Sequence, residues 1–155
     1  MKNKNIIMII SIIIMALVLI ILILKNNKIK INENEKYVAS LHYSYALGID
    51  AGTEYTIKLY KNGENEYKYQ IDSNNVTIDG VTEGKIIESG KINGKSDLKK
   101  LDAQYYKKKK NNMPFYSATY TYIEDNLSRN VNNIEELMDL LFNKKIVNER
   151  SKNGK

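Results

Sequence analysis

The nine residues Ser89 to Asp97, SGKINGKSD, follow a β-branched run and precede an apolar helical pattern, the place where a nucleotide-binding loop would grip phosphate. Such a loop needs the spacing G-x-x-x-x-G-K-[ST], which wraps backbone N–H groups around the phosphates. Gly94-Lys95-Ser96 supplies the tail, but Ser89 occupies the first glycine position and the glycine comes one place late, at Gly90. A loop one residue short does not close the same nest. The preceding strands also follow one another through short turns, which is antiparallel rather than parallel grammar. The segment therefore predicts a strand ending at Ile92, a turn on Asn93-Gly94, and a helix capped by Ser96 with Asp97 in its first turn.

His42 is the only histidine, so any Ser-His-Asp arrangement runs through it. It falls on the strand face opposite Leu41 and Tyr43, and nothing in the sequence sets a nucleophile or an orienting carboxylate beside it. Carboxylates are scattered singly apart from Glu124-Asp125 and Glu135-Glu136, and the second pair suits the start of a helix. A carboxylate site assembled only by folding, as in a glycosidase or a calcium site, stays open at this stage. With no cysteine in the chain, disulfides, thiolate metal sites and a lipid-modified cysteine are excluded. No motif calls for a cofactor, and no catalytic or metal-ligating residue is assigned.

Two features of composition remain. Tyrosine is abundant, at twelve, against two phenylalanines and no tryptophan. Tyr43, Tyr45, Tyr55, Tyr67 and Tyr69 fall on inferred core faces, and Tyr116, Tyr120 and Tyr122 on one face of another strand. Rings of this kind either form a platform for sugar or peptide or close a small core with their hydroxyls at the rim. The net charge of +6 is uneven: Lys95 to Lys110 holds seven lysines and two aspartates, whereas Lys36 to Gly94 holds six lysines and eight acids. Lys107, Lys108, Lys109 and Lys110 form the densest charge, a candidate site for anionic lipid or an anionic wall polymer. No recognisable nucleic-acid-binding fold accompanies them, and nucleic acid is not an expected partner.

The elements that must position these residues begin with an apolar run over 6–24, in which fifteen residues are Ile, Leu or Val. Nineteen helical residues span about 28 Å, close to the hydrocarbon thickness of a bilayer. The run is too long for a signal-peptide core and ends in Lys25-Asn26-Asn27-Lys28 instead of small residues, so it predicts an uncleaved transmembrane anchor. Residues 1–5 form a short basic tail and 25–35 a polar tether. The basic flanks nearly balance, and the short N-terminal tail favours a C-terminal domain outside the cytoplasm.

Residues 36–150 are expected to form one α+β domain, about six antiparallel strands with two helices, followed by a disordered tail over 151–155. Tyr37, Ala39, Leu41, Tyr43, Tyr45, Leu47 and Ile49 alternate onto one face of a first strand, and Asp50 to Gly52 reads as a turn. Tyr55, Ile57 and Leu59 mark a second strand, and Tyr67, Tyr69 and Ile71 a third. A three-residue loop Lys61-Asn62-Gly63 with Gly63 left-handed would pair Ile57 with Tyr67. Asn75 to Asp79 and Lys85 to Ile92 read as two further strands. Leu98, Leu101 and Tyr105 give a helix stripe, Phe115 to Ile123 a strand, and Asn133 caps a last helix through Ile134, Leu137, Met138 and Leu141, with Glu136 as box partner and Lys144 and Lys145 at its end.

This layout is that of many small single-pass proteins of the bacterial cell envelope. The expectation is a plasma-membrane-anchored, non-catalytic interaction module that meets lipid, wall polymer or a protein. An envelope-polymer hydrolase with paired carboxylates and a cytoplasm-facing membrane regulator are the alternatives.

Overall fold

The computed structural model describes residues 10, 12–19, 29–32, 34–48, 50–82 and 84–143. Among them lie seven strands, β1 (Tyr37–Ala46), β2 (Ala51–Lys61), β3 (Tyr67–Thr77), β4 (Gly80–Val81), β5 (Lys85–Ile92), β6 (Phe115–Glu124) and β7 (Leu127–Val131), and two helices, α1 (Lys95–Tyr105) and α2 (Ile134–Phe142). Residues 12–19 are also helical and their apolar side chains are exposed. Among the described residues no helix is long and apolar enough to cross a membrane. Most of the expected anchor over 6–24, together with Ile49, Lys144, Lys145 and the tail, lies outside the described residues.

All strand pairs are antiparallel, in the order β4-β3-β2-β1-β6-β7. β5 also pairs with β3, from Tyr67↔Ile92 to Ser73↔Lys85, so β4 and β5 lie along the same side of β3. The expectation of a small antiparallel sheet with helices therefore holds. β5 lies at one side of the sheet and β6 beyond β1, so α1 must carry the chain across β3, β2 and β1. Its buried stripe of Leu98, Leu101 and Tyr105 is what lets it lie on that face.

Alternation decides which face is covered. Ala39, Leu41, Tyr43 and Tyr45 of β1, Tyr55, Ile57 and Leu59 of β2, and Tyr67 and Ile71 of β3 point inward and are buried, as their period-2 spacing predicts. The other face carries Ser40, His42, Ser44, Thr56, Lys58 and Gln70, all of them half-buried. α2 closes the core with Ile134, Leu137, Met138 and Leu141, the four positions read from its periodicity.

Four local expectations are corrected. The β2–β3 hairpin pairs Ile57 with Ile71 and Leu59 with Tyr69, because the loop runs over 62–66 and the Asn62 N–H donates to the Glu66 carbonyl at 3.0 Å. The facing of each side chain is unchanged, since a slip of four residues preserves parity. Asn75 to Thr77 continue β3 instead of starting a new strand, and the turn falls on Ile78-Asp79. Extra residues at Val38 in β1 and Tyr116 in β6 break the alternation. Val38 thus turns in and Tyr37 out against Tyr60, while Tyr116 is 75% exposed and does not share the face of Tyr120 and Tyr122. Finally, Ala51 and Gly52 belong to β2, β1 ends at Ala46, and β7 was not anticipated.

The two helix starts differ in kind. At α2 the Asn133 side chain accepts from the Glu136 N–H at 2.9 Å, and Glu136 Oε2 accepts from the Asn132 N–H at 2.9 Å, a capping box displaced by one residue. At α1 the cap is Gly94, with φ 123° and no side-chain bond, and Ser96 lies inside the first turn. Asp97 reaches back to the Asn93 N–H at 3.1 Å. Asn133→Ala should therefore lower stability by about 1 kcal/mol, and Ser96→Ala by less than about 0.5 kcal/mol, in urea unfolding. Equal losses at the two sites would restore Ser96 as the cap.

Candidate functional site

The opening motif is accounted for by the fold. Gly90 lies in β5 opposite Tyr69, and a Cβ built on it would stand 2.5 Å from the Tyr69 ring, so glycine is there to let a ring pass and not to make a nest. The Lys95 ammonium meets Asp139 Oδ1 at 2.7 Å and braces α1 against α2.

Around His42 the sheet assembles more than the sequence indicated. Ser44 Oγ lies 3.2 Å and Glu54 Oε1 3.7 Å from Nε2, while Thr56 Oγ1 lies 3.0 Å from Nδ1. Ser44 is two residues along the same strand face, and Thr56 and Glu54 are cross-strand partners of His42 and Ser44. A hydrolytic relay sets nucleophile and carboxylate on opposite ring nitrogens. Here both share Nε2, and a threonine hydroxyl holds the other.

Buried tyrosines converge on one carboxyl. The Tyr43 hydroxyl donates to Asp102 Oδ1 at 2.7 Å and the Tyr120 hydroxyl to the same oxygen at 2.9 Å, which joins β1, β6 and α1. Asp102 is buried beside Leu101, at the edge of the apolar stripe of α1. Two more phenols fasten helix to sheet through carbonyls: Tyr45 donates to the Tyr105 carbonyl, and Tyr67 to the Leu141 carbonyl at 2.7 Å. Burial, then the adjacent Asp102, pushes the Tyr43 phenol far above its ordinary range, and burial with the Asp102 hydrogen bond does the same to Tyr120. Burial alone is the leading cause at Tyr45, Tyr67 and Tyr105, each pushed up to about 12.

Two clefts bring carboxylates to the surface. One, of about 450 Å³, lies between α1 and the start of α2 and is lined by Lys99, Asp102, Tyr106, Tyr120, Asn133 and Glu135. The other, of about 650 Å³, lies where the chain enters the sheet and includes Lys36, Lys61, Glu64, Tyr67, Glu124 and Asp125. Among the described residues, no group of three or more His, Asp or Glu side chains is placed to hold a metal ion.

The four lysines singled out by charge lie between α1 and β6, the last of them at the start of a closed turn. Lys110 and Met113 exchange backbone hydrogen bonds of 3.1 and 2.7 Å around Asn111 and Asn112, whose φ values of 48° and 64° are left-handed. Asparagine tolerates that region better than most residues. Asn111 Nδ2 donates to the Tyr55 hydroxyl at 2.8 Å, tying the loop tip to β2. Lys110 Nζ sits 4.3 Å from the Tyr105 ring centroid and Lys107 Nζ 5.4 Å from that of Tyr106. None of the four forms an ion pair with a described carboxylate. Comparison with known proteins adds no relative, since no family model, no curated protein and no solved structure matches the chain.

Two predictions follow from the phenol network. Asp102→Ala strands two buried hydroxyl donors and should lower stability by about 3 kcal/mol, whereas Asp102→Asn keeps an acceptor and should lose about half as much in denaturant unfolding. Indistinguishable losses would show that the shared acceptor is not what matters. The folded chain also holds the protons of Tyr45, Tyr67 and Tyr105 more tightly than the unfolded chain, whose phenols ionise near about pH 10. The associated stability is complete below about pH 10 and is lost as pH rises through about 12. A thermal midpoint that stays level across that window would refute this.

Proposed function

We propose that this chain is a membrane-tethered, non-catalytic binding module of the bacterial cell envelope, with its C-terminal domain outside the cytoplasm and Lys107–Lys110 as its contact for an anionic surface. The carrying observation is the loop itself. Four adjacent lysines lead into a turn that Lys110 and Met113 close with backbone hydrogen bonds, and no described carboxylate pairs with them. A structural lysine usually has a partner, as Lys58 has in Asp72 at 2.7 Å and Lys95 in Asp139. The tether rests on the apolar run over 6–24, whose composition supports insertion by about −5 kcal/mol.

A hydrolase with paired carboxylates is the second reading, and it draws on the cleft shared by Asp102 and Glu135. General acid–base work needs a carboxyl free to exchange its proton with substrate. Asp102 already accepts two buried hydroxyls on one oxygen, and Glu135 lies 3.8 Å from Lys99. These contacts favour the first reading.

The full chain should resist extraction from membranes by alkaline carbonate, and a tag at Lys155 should be cut by protease added outside intact spheroplasts. Ile13→Arg, at about 3 kcal/mol, should weaken retention without abolishing it. In sedimentation with anionic vesicles or immobilised polyphosphate, changing Lys107–Lys110 to glutamine should remove most binding at about 0.1 M salt, where the wild type binds, and neither should bind at about 1 M. A protected tag would assign the domain to the cytoplasm, and equal binding by both chains would dismiss the loop.

A further inference from the structure

The strand directions separate the domain into two poles. At the entry pole the Lys61 N–H donates to the Lys36 carbonyl at 2.9 Å, and Lys68 Nζ holds the Lys30 carbonyl at 3.4 Å and pairs with Glu35. The tether thus touches the sheet at Lys30, Glu35 and Lys36. Only residues 25–29 separate Lys30 from the end of the apolar run, a reach of about 20 Å. At the opposite pole the Ala46 N–H donates to the Pro114 carbonyl at 3.2 Å, Thr53 Oγ1 lies 3.6 Å from Met113 Sδ, and the lysine loop rests beside them on Tyr55 and Tyr105. β1 joins the poles, and the six to eight residue steps from Tyr37 to Tyr43 and Tyr45, the level at which the loop is held, set them about 20–26 Å apart at about 3.3 Å each.

That distance exceeds two Debye lengths at physiological salt, so lysines at the far pole are largely screened from a bilayer that lies beneath the entry pole. The entry pole presents Glu35, Glu64, Glu66, Glu124 and Asp125 among Lys30, Lys36, Lys61, Lys68, Lys91 and Arg129, a near balance where Lys107–Lys110 stand undiluted. Resting on the tethered-module reading, we propose that Lys107–Lys110 bind a linear phosphate-bearing polymer that approaches from the side away from the membrane, and not the headgroups of the bilayer that anchors the chain. Lysine suits such a ligand because ammonium groups on flexible stems respond to charge density and not to a planar, bidentate geometry. Two of them are already placed, over the Tyr105 and Tyr106 rings, so part of their freedom is lost before the polymer arrives.

The chain has no cysteine, so Asn65→Cys in the entry-pole loop and Tyr116→Cys at the exposed start of β6 each create a single labelling position. The full chain is reconstituted in phosphatidylcholine–phosphatidylglycerol vesicles that carry a headgroup quencher. Strong quenching is expected at position 65 and several-fold weaker quenching at 116. Linear inorganic polyphosphate added to the same vesicles should bind the wild type, with affinity falling about 20-fold for a threefold rise in salt if four phosphates are neutralised. The four-lysine-to-glutamine variant should bind at least tenfold more weakly. Strong quenching at 116 that the glutamine variant relieves would place the loop on its own bilayer and overturn the proposal, as would polyphosphate binding that the variant leaves unchanged. A chain that is not retained in vesicles would refute the tether instead, and polyphosphate binding by the detergent-solubilised chain would still decide the ligand.

Discussion

One carboxyl oxygen, Asp102 Oδ1, holds two strands and a helix in a single arrangement. A buried acceptor with two phenol donors is worth little unless all three groups are present, because each would otherwise be taken from water without a replacement partner. That requirement fixes the rotation of α1 on the sheet. Any turn of the helix that removes Asp102 from Tyr43 and Tyr120 also lifts Leu98, Leu101 and Tyr105 out of the core. The carbonyl bonds from Tyr45 and Tyr67 repeat the device at the end of α1 and the end of α2.

Tyrosine in this chain is thus a structural material. In a domain of this size, rings fill a core that few aliphatic residues could close, and hydroxyls direct how the layers meet. Tyr43 stacks on Tyr105 with ring centroids 5.5 Å apart and meets Tyr120 edge-on at 6.3 Å, so ring geometry and hydrogen bonds specify the same packing. The covered face of the sheet is therefore committed to holding the fold. Chemistry with other molecules is left to the polar face, the clefts beside the helices and the loops at the poles.

Much of this organisation was legible because it rests on periodicity. The alternation of β1, β2 and β3 and the stripes of both helices identified the residues that are buried. What the sequence did not disclose depends on single insertions and on distant partners. Val38 and Tyr116 are ordinary strand residues, and only the registers of their neighbours make them bulges. The 62–66 loop keeps the same parity as the shorter turn, so the hydrophobic pattern cannot distinguish them. Ser96 is a common capping residue, but Gly94, free to adopt φ 123°, starts the helix earlier. Asp102 differs from a solvated helix aspartate only through two tyrosines 59 and 18 residues away. One signal was available for it: an acid beside Leu101, one turn before Tyr105, sits on the apolar edge of its helix. The charge of Lys107–Lys110 was plain in the sequence, whereas its place in the fold required the strand order.

Lys36, where the chain enters the sheet, and Asn143, which follows α2, line one cleft. The lysine loop lies at the other pole. It hangs between α1 and β6, and its closing bonds involve the backbone of Lys110 and Met113, so the identities of Lys107, Lys108 and Lys109 are not needed to shut it. Descendants of this sequence can exchange Lys108 and Lys109 and alter what the loop recognises while inheriting the same scaffold, whereas Lys107, at φ 48°, favours glycine or asparagine as its replacement. In evolutionary terms the far pole is a place where specificity can change without renegotiating the fold.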